Sequence, residues 1–134
     1  MLEVGDWAEW SRTWDAARVA MFIDLAGDDN PIHHNAEYAA QTRFKKPLAH
    51  GMLAASMFGS IFGVRVRGCV YVSQALQFRA PIFVGDTVTA RVEVIDVRPR
   101  SRRVTCSTVL TRDDGVVATT GEATVLLPPA PGQA

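Results

Sequence analysis

His50-Gly51-Met52-Leu53-Ala54-Ala55-Ser56-Met57-Phe58-Gly59-Ser60-Ile61-Phe62-Gly63 is apolar all the way round when wound as a helix. A helix without a polar face belongs in an interior. Its small residues, Gly51, Ala54, Ala55, Ser56, Gly59 and Ser60, let strands or a partner subunit approach closely. The longest apolar run, Met52 to Val64, is broken by glycines and too short to span a bilayer. A chain of 134 residues has room for one domain. In so small a domain the natural place for this helix is inside a curved sheet.

The rest of the chain supplies that sheet. Downstream of the helix, apolar residues alternate with period two, the signature of half-buried strands. Val70, Val72, Leu76 and Phe78 share one face, interrupted by Gln74; Val88, Ala90, Val92 and Val94 share another. Val104, Cys106, Thr108 and Leu110 follow, then Val117, Thr119, Ala123 and Val125. Asp113-Asp114-Gly115 is a strong hairpin turn and Pro99-Arg100-Ser101 a second one. Consecutive strands on short turns predict an antiparallel meander. Upstream, Asp15 to Ala26 reads as an amphipathic helix through Val19, Phe22, Ile23 and Ala26, with Thr13 or Asp15 to cap it and Gly27 to end it. Asn35 caps a short helix through Glu37, Tyr38 and Ala39. The class is α+β, with one domain over residues 1–127 and a patternless, Pro-rich tail over 128–134 expected to be disordered.

Composition narrows the function. A hydrophobic share of 48% and a charged share of 21% are those of an ordinary globular protein. Zero formal net charge argues against a nucleic-acid-binding domain, which carries a basic footprint. Glu3, Asp6 and Glu9 rule out a signal peptide at the start, so a cytoplasmic location is expected. Cys69 and Cys106 form no metal-binding or disulfide pattern and read as small buried strand residues.

The chemistry concentrates in Ala26-Gly27-Asp28-Asp29-Asn30-Pro31-Ile32-His33. Proline fixes its own φ and pushes Asn30 out of the helical region, which makes the turn stiff. Asp28 and His33 can then face one cavity from opposite sides of a short loop. Two such groups within reach of one water form a general acid/base pair. Asp, Asn and Gly clusters also make turns without any chemistry. A second segment, Ala49-His50-Gly51-Met52-Leu53, weighs against that plainer role, because Gly51 begins the buried helix and offers free N–H groups at its positive end. That terminus suits an oxygen that gains negative charge. Proton transfer next to a carbonyl is the reaction type implied. No covalent nucleophile, metal cluster or phosphate-cradling glycine motif is apparent.

Gly27-Asp28-Asp29-Asn30-Pro31-Ile32-His33, with Ala49-His50-Gly51-Met52 and Phe78-Arg79-Ala80-Pro81-Ile82-Phe83-Val84-Gly85-Asp86-Thr87, resembles the MaoC-like (R)-specific enoyl-CoA hydratases, or hydratase 2. The resemblance runs from about residue 7 to 127. It implies a hot-dog fold, an antiparallel sheet wrapped around one long helix. It also implies that Asp28 and His33 activate the water that adds to a trans-2-enoyl thioester, giving a (3R)-hydroxyacyl product, or run the reverse dehydration. Gly51 would receive the thioester oxygen and Asn30 would orient the pair. The family often has a serine on the central helix; Ser56 and Ser60 are the hydroxyls available, although the matching position falls nearer Gly59. No cofactor or metal is implied, since coenzyme A enters as part of the substrate. A homodimer or dimer of dimers is implied, with the site at the interface. The alternatives are a substrate carried on an acyl carrier protein, a hot-dog thioesterase, and a non-catalytic partner subunit.

Arg43, Lys45 and Lys46 form a basic loop, and Arg98, Arg100, Arg102 and Arg103 a cluster around a turn. Solvated charges are the default for both; contact with the phosphates of coenzyme A or a carrier's pantetheine arm is the functional reading. His34 is expected to face outward, and His50 to position its loop by hydrogen bonding. Trp7, Trp10 and Trp14 read as core or interface residues.

Overall fold

The computed structural model describes residues 1–132. Strand β1 (Trp7–Thr13) leads into helix α1 (Ala16–Ala26), a 3-10 turn (Pro31–His33), a short helix α2 (Ala36–Ala40) and the long helix α3 (Gly51–Arg65). Strands β2 (Val70–Phe78), β3 (Thr87–Arg98), β4 (Arg103–Arg112) and β5 (Val117–Leu126) follow. All five strands pair antiparallel in the order β1-β3-β4-β5-β2. The sheet curves around α3 in the hot-dog arrangement.

Local chemistry explains the boundaries. Asp15 caps α1 by accepting from the Arg18 N–H at 2.9 Å. Gly27 ends the helix at φ +80°, where its N–H bonds the Ile23 carbonyl. Asn35 caps α2. The Asp113-Asp114-Gly115 and Pro99-Arg100-Ser101 turns join β4 to β5 and β3 to β4 as expected.

The core faces of β3 and β4 are the predicted ones: Val88, Ala90, Val92 and Val94, then Val104, Cys106, Thr108 and Leu110, are all buried. Of the β5 set, Thr119, Ala123 and Val125 are buried and Val117 is exposed.

Several expectations need correction. The meander holds only for β3-β4-β5, because β2 pairs with β5 at the far edge and the 79–86 connection returns across the sheet. As an edge strand with one neighbour, β2 leaves Val70 (58%), Val72 and Phe78 (57%) exposed rather than in the core. Helix α3 is buried on one side only: Leu53, Ala54, Ala55, Met57, Phe58, Ile61 and Phe62 are inside, while Met52, Ser56, Ser60 and Val64 face out. Of the tryptophans, expected in the core or at an interface, Trp14 is core; Trp7 lies on the outer face beneath the Arg91 guanidinium, 4.1 Å from its ring, and Trp10 is exposed at the β1 edge. Cys106 is buried in β4, but Cys69 precedes β2 and is half-buried. Residues 128–132 carry no helix or strand, and Gln133 and Ala134 of the predicted tail lie outside the described residues.

Gly121 is where β5 meets β2 most closely. A Cβ there would overlap the Ala75 carbonyl and lie 3.3 Å from the Gln74 amide nitrogen, which bonds the buried Thr108 hydroxyl at 3.0 Å. Gly63, on the exposed side of α3, has open space around it. Gly121→Ala should therefore cost about 1–3 kcal/mol, the usual penalty of overpacking. Gly63→Ala should gain up to about 1 kcal/mol from helix propensity. Urea midpoints check both, and shifts of the same sign would contradict this account of the packing.

Candidate active site

The stiff turn between α1 and α2 is built by its own side chains. Asp28 accepts from the Asn30 N–H at 3.3 Å, and Asn30 accepts from the Ile32 N–H at 3.3 Å, capping the 3-10 turn. These bonds shape the backbone between Asp28 and His33. The segment before α3 anchors this turn to the body. Leu48 donates to the Ile32 carbonyl at 2.9 Å and Ala49 to the Ile82 carbonyl at 2.8 Å.

Those contacts bring Asp28, His33, His50 and Gly51 together. They share a cleft of about 440 Å³ with Phe22, Ala26, Met52 and Phe78. His33 donates from Nδ1 to the Leu48 carbonyl at 2.7 Å. In the neutral ring its Nε2 is thus a bare lone pair, and it faces the Asp28 carboxylate at 3.8 Å. That separation is too long for a direct hydrogen bond, and it joins two acceptors. A water placed between them can donate to both. Burial pushes the His33 pKa below its ordinary 6.5. The Leu48 carbonyl opposes this, His50 reinforces it, Asp28 opposes it and His34 reinforces it.

Gly51 opens α3, so its N–H is one of the amides that a helix leaves without an internal partner. Phe78 of β2 lies against it: a Cβ at position 51 would be 2.5 Å from the Phe78 ring. Any side chain at position 51 would have to displace that ring. Beyond Phe78 a second cleft of about 270 Å³ continues from His33 and Gly51, lined by Arg43, Phe44, Arg79 and Pro81.

The other expected site residues divide. Arg43 lines the second cleft, beside the dyad. Lys45 and Lys46 are exposed, with the Lys46 ammonium 4.4 Å from the Phe83 ring centre. Arg100, Arg102 and Arg103 are not brought to the site. The β3–β4 turn that carries them is at the end of the sheet where Arg103 pairs with Leu126, whereas Phe78 pairs with Thr119 at the other. Ser56 and Ser60 are not brought to it either. They follow Met52 at i+4 and i+8, a row of α3 turned toward a groove with Trp10, Arg12 and Met21. Gly59 is on the β2 side, against Tyr71. His34 is exposed and bonds the Asp29 carbonyl.

Periodicity places Phe22 and Phe78 on apolar faces rather than in the site, and gives no sign of the Leu48 carbonyl or Arg79. Phe78 and Arg79 had one available signal, their place in the Phe78-Arg79-Ala80-Pro81 motif.

Among the described residues, Asp28, His33 and His50 form a cluster of metal-ligating side chains, with ligand atoms within 4.8 Å of one another. His33 Nδ1 and His50 Nε2 are already engaged by backbone carbonyls. The pair left facing each other, a neutral imidazole and a carboxylate, suits a water.

A neutral imidazole and a carboxylate beside a helix N-terminus, on a hot-dog scaffold, define an acid/base site for a carbonyl substrate. The MaoC like domain matches residues 7–115. An (R)-specific enoyl-CoA hydratase of Aeromonas caviae is 44% identical over 95% of this chain and 96% of its own. A mitochondrial 3-hydroxyacyl-[acyl-carrier-protein] dehydratase of Arabidopsis thaliana is 35% identical over 96% of this chain and 79% of its own. The solved A. caviae (R)-hydratase involved in PHA biosynthesis superposes with TM-score 0.91 at 44% identity, covering 95% of this chain and 98% of that one. The chain belongs to the MaoC-like family.

The lowered His33 pKa has a signed consequence for stability. Below pH 6.5 the unfolded chain takes up this proton before the folded one does. Stability should therefore fall as the pH drops from 6.5 to the folded-state pKa, and should not depend on His33 above that window. Urea unfolding of wild type and His33→Gln at pH 7.5 and about 5.5 tests this. The acid-side loss should be smaller in the variant; equal losses would contradict the assignment.

Proposed function

We propose that the protein hydrates trans-2-enoyl-CoA thioesters to (3R)-hydroxyacyl-CoA, or runs the reverse dehydration. The observation that carries this reading is the 3.8 Å gap between two proton acceptors, His33 Nε2 and Asp28 Oδ2, beside the Gly51 amide. A water held by both loses one proton to the pair as its oxygen bonds C3. That proton passes on to C2, so the dyad ends as it began. Charge that builds on the thioester oxygen during addition is met by the Gly51 N–H and the positive end of α3. The (R) outcome is supported by the name of the A. caviae relative.

Coenzyme A is the carrier that this relative's name supports, and no separate cofactor enters the steps above. The Arabidopsis relative supports a second reading, the same chemistry on an acyl carrier protein. Arg43 and Arg79, along the second cleft, are the cations placed to meet the carrier arm's phosphate in either case.

The protein acts as a homodimer in this proposal. An apolar edge strand left open is an association surface, and β2 presents Val70, Tyr71, Val72 and Phe78. Phe78 belongs both to that edge and to the active cleft, so a partner on β2 would close over the site. No helix among the described residues is long and apolar enough to cross a membrane.

Loss of the conjugated-thioester absorbance of crotonyl-CoA, with product chirality read by a stereospecific dehydrogenase, tests the activity. Asp28→Asn and His33→Gln should each lower kcat by about 10²–10⁴-fold, the scale of general acid/base groups. Full turnover by both folded variants would overturn the dyad; release of free thiol without hydration would make the protein a thioesterase. Light scattering should give twice the chain mass, and Val72→Arg should reduce it to the monomer.

A further inference from the structure

His50 is the buried histidine that this mechanism leaves without a step. It is 3% exposed and touches both members of the dyad. Its Nε2 donates to the Asp28 backbone carbonyl at 3.0 Å, so that nitrogen carries the proton. Its ring stacks on His33, with centroids 3.6 Å apart and planes 24° from parallel. Phe22 of α1 braces the stack edge-on at 4.8 Å. Its Nδ1 is buried without a partner. A buried, unpaired nitrogen is costly and persists where the rest of the ring is needed in place.

We propose that His50 is a positioning residue. Through one ring it holds the Asp28 backbone and the His33 imidazole plane, and keeps His33 in the neutral form that presents Nε2 to the water. One side chain thus sets both halves of the dyad: the hydrogen bond fixes where Asp28 starts, and the stack fixes where His33 points. The groups facing His33 are Asp28, His34, His50 and the Leu48 carbonyl, with Arg43 along the adjoining cleft. The α1 residues near it, Val19, Ala20 and Ile23, bring no charge. Among the nearest of these groups, His50 is the one whose ring lies flat on His33. Its removal should both uncover the ring and lift an electrostatic penalty on the protonated form, raising the His33 titration midpoint.

The kinetic part of this inference rests on the proposed hydration; the titration part does not. The experiment follows the His33 imidazole by 15N NMR against pH in wild type, His50→Gln and His50→Phe, with kcat and kcat/KM for crotonyl-CoA on the same samples. Gln retains a donor for the Asp28 carbonyl and loses the ring; Phe retains a ring face and loses the donor. In wild type His33 should be the Nδ1–H tautomer, and His50 the Nε2–H tautomer. In His50→Gln the His33 midpoint should rise, and the acidic limb of kcat/KM should rise with it. In His50→Phe, which keeps the ring covered and loses only the electrostatic contribution, the midpoint should rise less than in His50→Gln, while kcat falls by up to about 10²-fold, the scale of an ångström's misplacement. An unmoved midpoint in folded His50→Gln, or activity within twofold of wild type in both variants, would overturn the proposal. If neither variant folds, opposite tautomers in wild type would overturn it. An inert wild type with the expected titrations would overturn the hydratase reading and leave this one standing.

Discussion

The contact on which the rest depends is the seating of Leu53, Ala54, Met57, Phe58 and Ile61 of α3 in the concave face of the sheet, against Val88, Ala90, Val92, Val104 and Leu110. Each large side chain buried this way contributes about 1.5–3 kcal/mol. The small residues among them let the strands close in, and the twist of the sheet supplies the curvature. Once α3 is seated, its first residue, Gly51, is fixed at the end of the sheet where β2 and β5 offer Phe78 and Thr119. The chain before it has to reach that point along the Ile82–Val84 backbone, where Ala49 donates to the Ile82 carbonyl and Pro47 accepts from the Val84 N–H. The loop that carries Asp28 and His33 hangs on that tether.

Backbone carbonyls then set the chemistry. His33 gives its Nδ1 proton to Leu48, and His50 gives its Nε2 proton to Asp28. Both partners are main-chain atoms, held by the α3 N-terminus and by the turn. The tautomers therefore follow from the fold rather than from other side chains. A lone pair and a carboxylate oxygen end up 3.8 Å apart with no proton of their own between them. Two acceptors at that separation suit a water, which can donate to both.

The two surfaces that this chain leaves open have one origin. The sheet is long enough to cover one side of α3 and stops at β2, so the strand's outer edge and the Met52-Ser56-Ser60 row stay exposed. Both lie in stretches whose spacing reads as core, yet neither has a covering element among the described residues of this chain.

Most of the architecture was legible in the sequence. The all-apolar helix, the period-two faces of β3 and β4, the Asp15 cap, the Gly27 stop and the Asp113-Asp114-Gly115 turn are local patterns, and local geometry enforces them. That Asp28, His33 and Gly51 face one cleft was legible too, because a proline-stiffened turn and a glycine at a helix start carry their constraints within a few residues. Pairing order was not. Val70, Val72 and Phe78 alternate like a core strand, yet nothing local says that β2 has a neighbour on one side only. Nor does helical spacing say which way α3 is rotated, and that rotation turns Ser56 and Ser60 away from the dyad. Arg43 and the Arg100–Arg103 cluster look equivalent as charge patterns, and only strand register sets one beside the cleft and the other at the far end. The sequence determined which groups this protein has for its chemistry, since their types and turns are local. The tertiary structure decided which of them meet, since distance across a sheet depends on pairing between residues far apart in the chain.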